Sequence, residues 1–443
     1  MKIQLSEHFT YQKLLRFVIP SIVMMIFTSI YGVVDGIFVS NYVGSTSFAA
    51  VNFIMPFIMA MGAIGFMLGT GGSAIVAKTM GEGKAQKANE YFSMLIYVNL
   101  VVGIVLSIIG FLMIRSIAKL LGASDALLED AVLYGKILLF GNAAFMLQNS
   151  FQTFFAVAEK PQTGLIITIA AGVTNMVMDY LLIVVFPFGI IGAASATVLS
   201  CFVGGIIPIF YFARKNSSRL QLIKTRFYGR ELLKSCANGS SEMMSNLSMS
   251  LVNMLYNLQL MKIAGENGVA AYGVIMYVNF IFIAVFLGYS IGSAPIIGFH
   301  YGAGNQEELK NLFQKSLVIV IIGAICMTSL AELFASPLAK IFVGYQAELL
   351  EMTRHGFCLF SLSFLFSGFN IFSSAFFTAL NNGVISALIS FLRTLLFQVI
   401  AVIVLPLLFG IDGIWTAIVV AELLAMFVAV GLLIKKRKQY RYI

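Results

Sequence analysis

Thr163-GLIITIAAGVTNMVMDYLLIVV-Phe186 is 24 residues long, nearly all apolar, and carries a single charge, Asp179. A run of this kind exceeds the roughly 20 residues an α-helix needs to cross a bilayer. Similar runs recur along the chain, near 14–40, 48–78, 91–114, 133–157, 190–213, 236–261, 269–299, 312–334, 355–380, 384–409 and 413–434. With 163–186 they make twelve candidate spans. The composition agrees: of 443 residues 60% are hydrophobic and 11% charged, with a mean hydropathy of +0.95, far from the balance of a water-soluble domain. A β-barrel would show short segments of strict alternation, whereas Leu181–Phe186 and Val399–Pro406 are continuously apolar. The expected fold is an all-α polytopic membrane protein.

The net charge of +9 is explained by where the basic residues lie. Of the 28 Lys and Arg, 21 fall on one side: before the first span (Lys2, Lys13, Arg16), after the second (Lys78, Lys84, Lys87), after the fourth (Lys160), between the sixth and seventh (Arg214 to Lys234), after the eighth (Lys310, Lys315) and at the C-terminus (Lys435 to Arg441). Six fall on the other side (Arg115, Lys119, Lys136, Lys262, Lys340, Arg354), and Arg393 alone lies within a span. The positive-inside rule then puts both termini in the cytoplasm, and the charge sets orientation rather than marking a nucleic-acid partner. Cys201, Cys236, Cys326 and Cys358 are scattered without a Cys-x-x-Cys or Cys/His spacing, so no metal site or disulfide framework is indicated. The first apolar run outlasts a signal-peptide core and no small-residue cleavage pattern closes it, so it is expected to stay in the mature protein.

Shifted on itself by about 221 residues, the chain brings irregular features into register. Gly44-STSF-Ala49-Ala50 meets Gly265-ENGV-Ala270-Ala271, Gly81-Glu-Gly83 meets Gly302-Ala-Gly304, Phe155 meets Phe377, and Gly189-II-Gly192 meets Gly410-ID-Gly413. The expected organisation is therefore two pseudo-symmetric six-helix bundles, 1–213 and 236–443, joined by a basic connector, 214–235. Six spans per half make the copies parallel, related by an axis along the membrane normal, which is a transporter arrangement.

Charges at membrane depth are costly and mark ion or proton paths. Counting from the outer ends of their spans, Asp35 lies about 8–9 Å deep, Asp179 about 11 Å and Thr197 about 12 Å, in one layer of the outer half. Asn175, four residues before Asp179, shares its helical face. Two carboxylates, an amide and a hydroxyl suit Na⁺, or a pair of acids that share and release protons. Taken singly, Asn175 and Thr197 are better explained as interhelical hydrogen-bonding groups; Asp35 could cap a broken helix, but the cost of a carboxylate in lipid favours a functional role for both aspartates.

These residues resemble a known family. Asp35-GIFVSNYV-Gly44, Asn175-x-x-x-Asp179 and Thr197 are similar to the pattern of the multidrug and toxic compound extrusion (MATE) transporters, and Ala158-Glu-Lys-Pro161 with Gly172-VTNMVM-Asp179 looks most like the MepA-type bacterial exporters within it. The resemblance implies an antiporter in a bacterial plasma membrane, expelling lipophilic or aromatic organic cations against inward H⁺ or Na⁺, working as a monomer among membrane lipids and using no cofactor. It implies that Asp35, Asn175, Asp179 and Thr197 form the cation-coupling site, the position a Na⁺ would take, and that Pro20 matches a proline at which the first helix bends. A mid-helix proline permits such a bend in any case, and a static one equally. The second half is less clear. Glu242 follows Asn238-Gly-Ser-Ser rather than the expected Gly-x-Pro opening, and Arg393 and Glu422, at similar depth, read first as a structural ion pair.

Asn246, Ser250, Asn253 and Asn257 form one helical face in the seventh span, and Gln148, Asn149 and Gln152 cluster in the fourth. Both groups are candidate walls of a substrate cavity, although polar helix association explains any one of them as well. The 22 Met and 40 Phe would suit flat cations. Two other classes are weighed. A flippase for a lipid-linked saccharide needs several basic residues facing phosphate, and only Arg393 lies in a span. A membrane-embedded enzyme needs a catalytic constellation, yet His8, His300 and His355 have no metal-ligand spacing and no phosphate-binding glycine loop is present.

Overall fold

The computed structural model describes residues 3–120, 125–344 and 346–442, and every regular element among them is helical. Lys2, one of the basic residues counted above, lies outside the described residues, as do some of the side chains in the Gly44–Ala50 motif. The first lobe holds α1 (Tyr11–Val43), α2 (Ser45–Gly81), α3 (Ala85–Leu120), α4 (Asp125–Val157), α5 (Pro161–Val185) and α6 (Gly189–Ala213). A run from Gly229 to Gly302 then breaks at Gly265 into α7 (229–264) and α8 (266–302). Next come α9 (Gln306–Val343) and α10, whose two pieces Ala347–Ser361 and Phe364–Ala379 meet at 46°. The run Gly383–Tyr440 breaks at Gly410 into α11 (383–409) and α12 (411–440). Twelve spans result among the described residues. Most overrun the apolar segments, because hydropathy marks only the part of a helix that sits in hydrocarbon. The irregular connector is 214–228, shorter than expected, since helix resumes at Gly229.

The duplication is written in the turns. Gly44 (φ 115°) is matched by Gly265 (62°), Gly83 (77°) by Gly304 (68°), Gly189 (57°) by Gly410 (57°), and Glu159 by Asn381 (58° each). These angles lie in the left-handed region, where a Cβ is strained, so glycine recurs at three of the four turn types. The three glycine motifs that align in the sequence are these turns.

The apolar cores show how the lobes meet. One cluster lies wholly in α1–α6 (Val39, Ile54, Ile114, Leu139, Ile190) and another wholly in α7–α12 (Tyr256, Phe286, Phe357, Trp415). A third is shared by both lobes, with Phe92, Phe154 and Phe212 from one and Phe299, Phe313 and Phe376 from the other. Those shared residues sit toward the side that carries both termini. The seam there depends on bare backbone: a Cβ on Gly81 would fall 1.9 Å from the Phe299 carbonyl oxygen, one on Gly302 2.1 Å from that of Lys78, and one on Gly239 1.8 Å from that of Met67. Gly288 and Gly292 of α8 press likewise on Ser21, Ile22 and Val18 of α1. The lobes are thus joined at the termini side and keep separate cores on the other.

Candidate functional site

Gly172 lets α5 lie against α1. A Cβ there would stand 2.5 Å from Phe27 and 2.8 Å from Tyr31, so a larger residue would push the helices apart. Two turns along, that approach sets Asp35 of α1 beside both Asn175 and Asp179 of α5. Asp179 and Asn175 are 0% and 2% exposed, while Asp35 is half-buried. Oδ1 of Asp35, Oδ1 of Asn175 and both carboxyl oxygens of Asp179 are buried with no donor in hydrogen-bonding geometry. Buried acceptors are normally satisfied, and unpaired buried carboxylates are costlier still. Four converging oxygens without a donor are therefore suited to protons or a hard cation, and the residues present fit Na⁺ as well as H⁺.

Thr197 of α6 is half-buried and donates to the Ala193 carbonyl at 3.2 Å. It reaches the site through Tyr134 of α4, which neighbours Thr197, Asp35 and Asp179. Tyr31, Tyr134 and Cys201 complete the surroundings, with Gln148 and Asp35 near Tyr31 and Asp35 near Cys201. Sequence reasoning missed these three. Tyr31 lies one turn before Asp35 and Cys201 one turn after Thr197, a spacing that could have found both; nothing local marks Tyr134. Backbone irregularity is a second missed signal. The last turn of α1 (Val39–Val43) and of α5 (Tyr180–Val185) are π-helical, each beginning within one turn of its aspartate. Such bulges are frequent at functional sites.

The other lobe has a polar cluster of opposite character. Arg393, inside the π turn Leu392–Leu396 of α11, donates through Nε to Glu422 Oε1 at 2.7 Å. Asn370 Nδ2 of α10 donates to Glu422 Oε2 at 2.7 Å and to its carbonyl at 2.8 Å. Glu422 is 1% exposed, and its charge is met on both oxygens. Glu242 of α7 is near enough to Arg393 to feel its charge but makes no ion pair with it.

Against this geometry the comparisons with known proteins can be set. One family model, MatE, matches the chain twice, over residues 20–181 and again over 243–404. The chain belongs to the MatE family. The two matched stretches are also the duplicated halves. Among curated MatE relatives, the multidrug export protein MepA of Staphylococcus haemolyticus (strain JCSC1435) is 24% identical, over 98% of this chain and 95% of its own. MepA of Staphylococcus aureus (strain NCTC 8325 / PS 47) is 21% identical, over 95% of this chain and 92% of its own. A solved MATE structure in complex with MaL6 superposes with a TM-score of 0.93 at 23% identity, covering 99% of this chain and 98% of that one. An outward-facing MATE multidrug resistance transporter of the MOP superfamily gives 0.92 at 24% identity, with the same coverage. The chain is thus a multi-pass membrane protein of a multidrug efflux transporter family, with twelve spans in two bundles.

The candidate cavity residues of this MatE chain are placed unevenly. Gln148, Asn149 and Gln152 are buried in the first lobe, and Gln148 packs against Gly204. On α7, Asn246 donates to the Glu242 carbonyl at 2.8 Å and Asn253 accepts from Tyr272 at 2.8 Å. Ser250 is half-buried and Asn257 is exposed. Pro20 lies buried inside a helix that stays continuous through it, and the nearby Val18, Ser21 and Ile22 are the residues that α8 presses on.

Proposed function

We propose that this protein is a secondary active multidrug exporter, exchanging lipophilic organic cations for H⁺ or Na⁺ by alternating opening of the two lobes, in a bacterial plasma membrane with both termini in the cytoplasm. The observation that carries the reading is the Asp35–Asn175–Asp179 group, whose buried oxygens lack donors. When the coupling cation occupies them, that charge is compensated; when it leaves, α1 and α5 repel and repack. A Cβ on Gly36, next to Asp35, would stand 3.7 Å from the Tyr277 hydroxyl of α8, and Ser29 donates to the Phe280 carbonyl at 3.3 Å, so α1 runs close enough to α8 for its movement to be felt by the other lobe. A substrate cation and a coupling cation that favour opposite arrangements would then drive exchange. Substrate would enter between the lobes, beside Asn257 and the α7 stripe. A phosphate-bearing lipid substrate is disfavoured, because Arg393, the basic residue within a span, is held by Glu422.

The test is ethidium flux in proteoliposomes under imposed pH or Na⁺ gradients, for the native protein and for Asp35→Asn and Asp179→Asn. The native protein should move ethidium under one gradient and both variants should lose that coupling while remaining folded. Normal coupled transport by both would sink the proposal.

A further inference from the structure

The segment before α1, residues 3–10, has no regular structure yet is fixed at both ends to different lobes. Leu5 and Phe9 are buried. At its start, the Leu5 amide donates to Glu159 Oε1 at 2.8 Å in the α4–α5 turn, and Arg219 of the connector ties in through Glu159 (2.9 Å) and Gln4 (3.1 Å). At its end it crosses to the other lobe. The Phe9 amide donates to Glu308 Oε1 at 2.9 Å and His8 Nδ1 lies 2.6 Å from Glu308 Oε2. The Phe9 carbonyl accepts from Asn311 at 3.0 Å and Lys315 at 2.7 Å, all three partners being on α9.

The connector before α7 does the same in reverse. Its Gln221 amide donates to Asn89 at 2.8 Å and its Ile223 amide to Ser93 Oγ at 2.9 Å, on α3 of the first lobe. At the 221-residue shift Asn89 and Ser93 fall on Lys310 and Gln314, each one residue before Asn311 and Lys315, so the two straps dock on corresponding turns of corresponding helices. The strap that feeds the first helix of each lobe is therefore pinned to the opposite lobe. The two differ in degree: the connector reaches a carboxylate through a single bond, from the Tyr228 hydroxyl to half-buried Glu90, whereas Glu308 is a 5%-exposed carboxylate that accepts from the strap on both oxygens.

We propose that the N-terminal strap is a latch on the termini side of the lobes, and that Glu308 is the positioning residue that sets how readily that side opens. The proposal rests on the alternating-access reading above. With the latch closed, the strap links the Glu159 turn of one lobe to α9 of the other across the seam. The strap runs unbroken into α1 and so stays with the first lobe even if the Glu159 contact is lost; parting the lobes on this side therefore requires the α9 attachment to release. The pair of charge-assisted hydrogen bonds at Glu308 is a main part of that attachment and resists its release.

The test measures distances by pulsed electron resonance between spin labels on unnatural amino acids at Lys87 and Lys310, exposed positions in the two lobes on this side, leaving the four cysteines in place. Native protein should show a short and a long population whose ratio responds to substrate. Glu308→Gln should raise the long-to-short ratio roughly tenfold, His8→Ala should raise it less, and Glu307→Gln, exposed in the same helical turn, should leave it unchanged. If Glu308→Gln does not fold, Lys315→Met, which removes one of the two donors to the Phe9 carbonyl, carries the test with the same sign. A ratio equal to native in the latch variants, while native shows both populations, would overturn the latch alone. A single population in native protein under every substrate and ion condition would overturn alternating access and the latch with it.

Discussion

Half-buried Asp35 and buried Asp179 in the first lobe, and buried Glu422 in the second, are acids within the spans of one duplicated scaffold, but they are handled in opposite ways. Glu422 meets Arg393 on one oxygen and Asn370 on the other. The two aspartates lie beside each other and Asn175, and four oxygens of this group have no hydrogen-bond partner. A pair fixed like Glu422–Arg393 is self-contained, whereas the coupling site proposed at the aspartates would be complete only with an external cation. At the 221-residue shift Asp35 and Cys201 of the first lobe fall on Tyr256 and Glu422 of the second, so the two polar groups lie in related places, but their acids stand on different positions and only the second is met by the chain's own arginine.

Stability should report this difference through its sign. The largest effect is expected from Arg393→Met, which strands a fully buried carboxylate and should cost about 3–5 kcal/mol, read as a drop in melting temperature in detergent. Asn370→Ala removes two hydrogen bonds from Glu422 and should cost about 1–3 kcal/mol by the same assay. Gly172→Leu attacks the other lobe by wedging α1 from α5; it should cost about 1–3 kcal/mol and, unlike the two changes above, impair ion coupling. Smallest and opposite in sign, Asp179→Asn removes an uncompensated buried charge and should leave stability unchanged or raise it by about 1 kcal/mol in the absence of coupling ion. A loss of several kcal/mol from Asp179→Asn would break the comparison.

Much of this was legible in the residues themselves. Uninterrupted apolar length gave the spans, and the turn glycines gave the duplication because only glycine sits easily at those positive φ angles. Asp35 and Asp179 stood out because charge in an apolar run is expensive, Asn175 by its place one turn before Asp179, and Arg393 and Glu422 were matched by depth. What remained hidden depends on packing between helices distant in sequence. Gly172 looks like any small residue until Phe27 and Tyr31 are placed beside it. Tyr134 belongs to the site only because α4 runs past α6. Asn370 could not be joined to Glu422 without knowing how α10 crosses α12, and the strap, with neither apolar length nor periodicity, left no trace in hydropathy.

The most direct test of the central claim is cation release on substrate binding. Tetraphenylphosphonium would be added to purified protein in weakly buffered detergent solution, with released protons or displaced ²²Na⁺ counted per protein. Native protein and folded Glu422→Gln should release the same number, while Asp35→Asn and Asp179→Asn should release none. Release that survives both aspartate changes and disappears with Glu422→Gln would contradict the account and place the exchangeable cation in the second lobe.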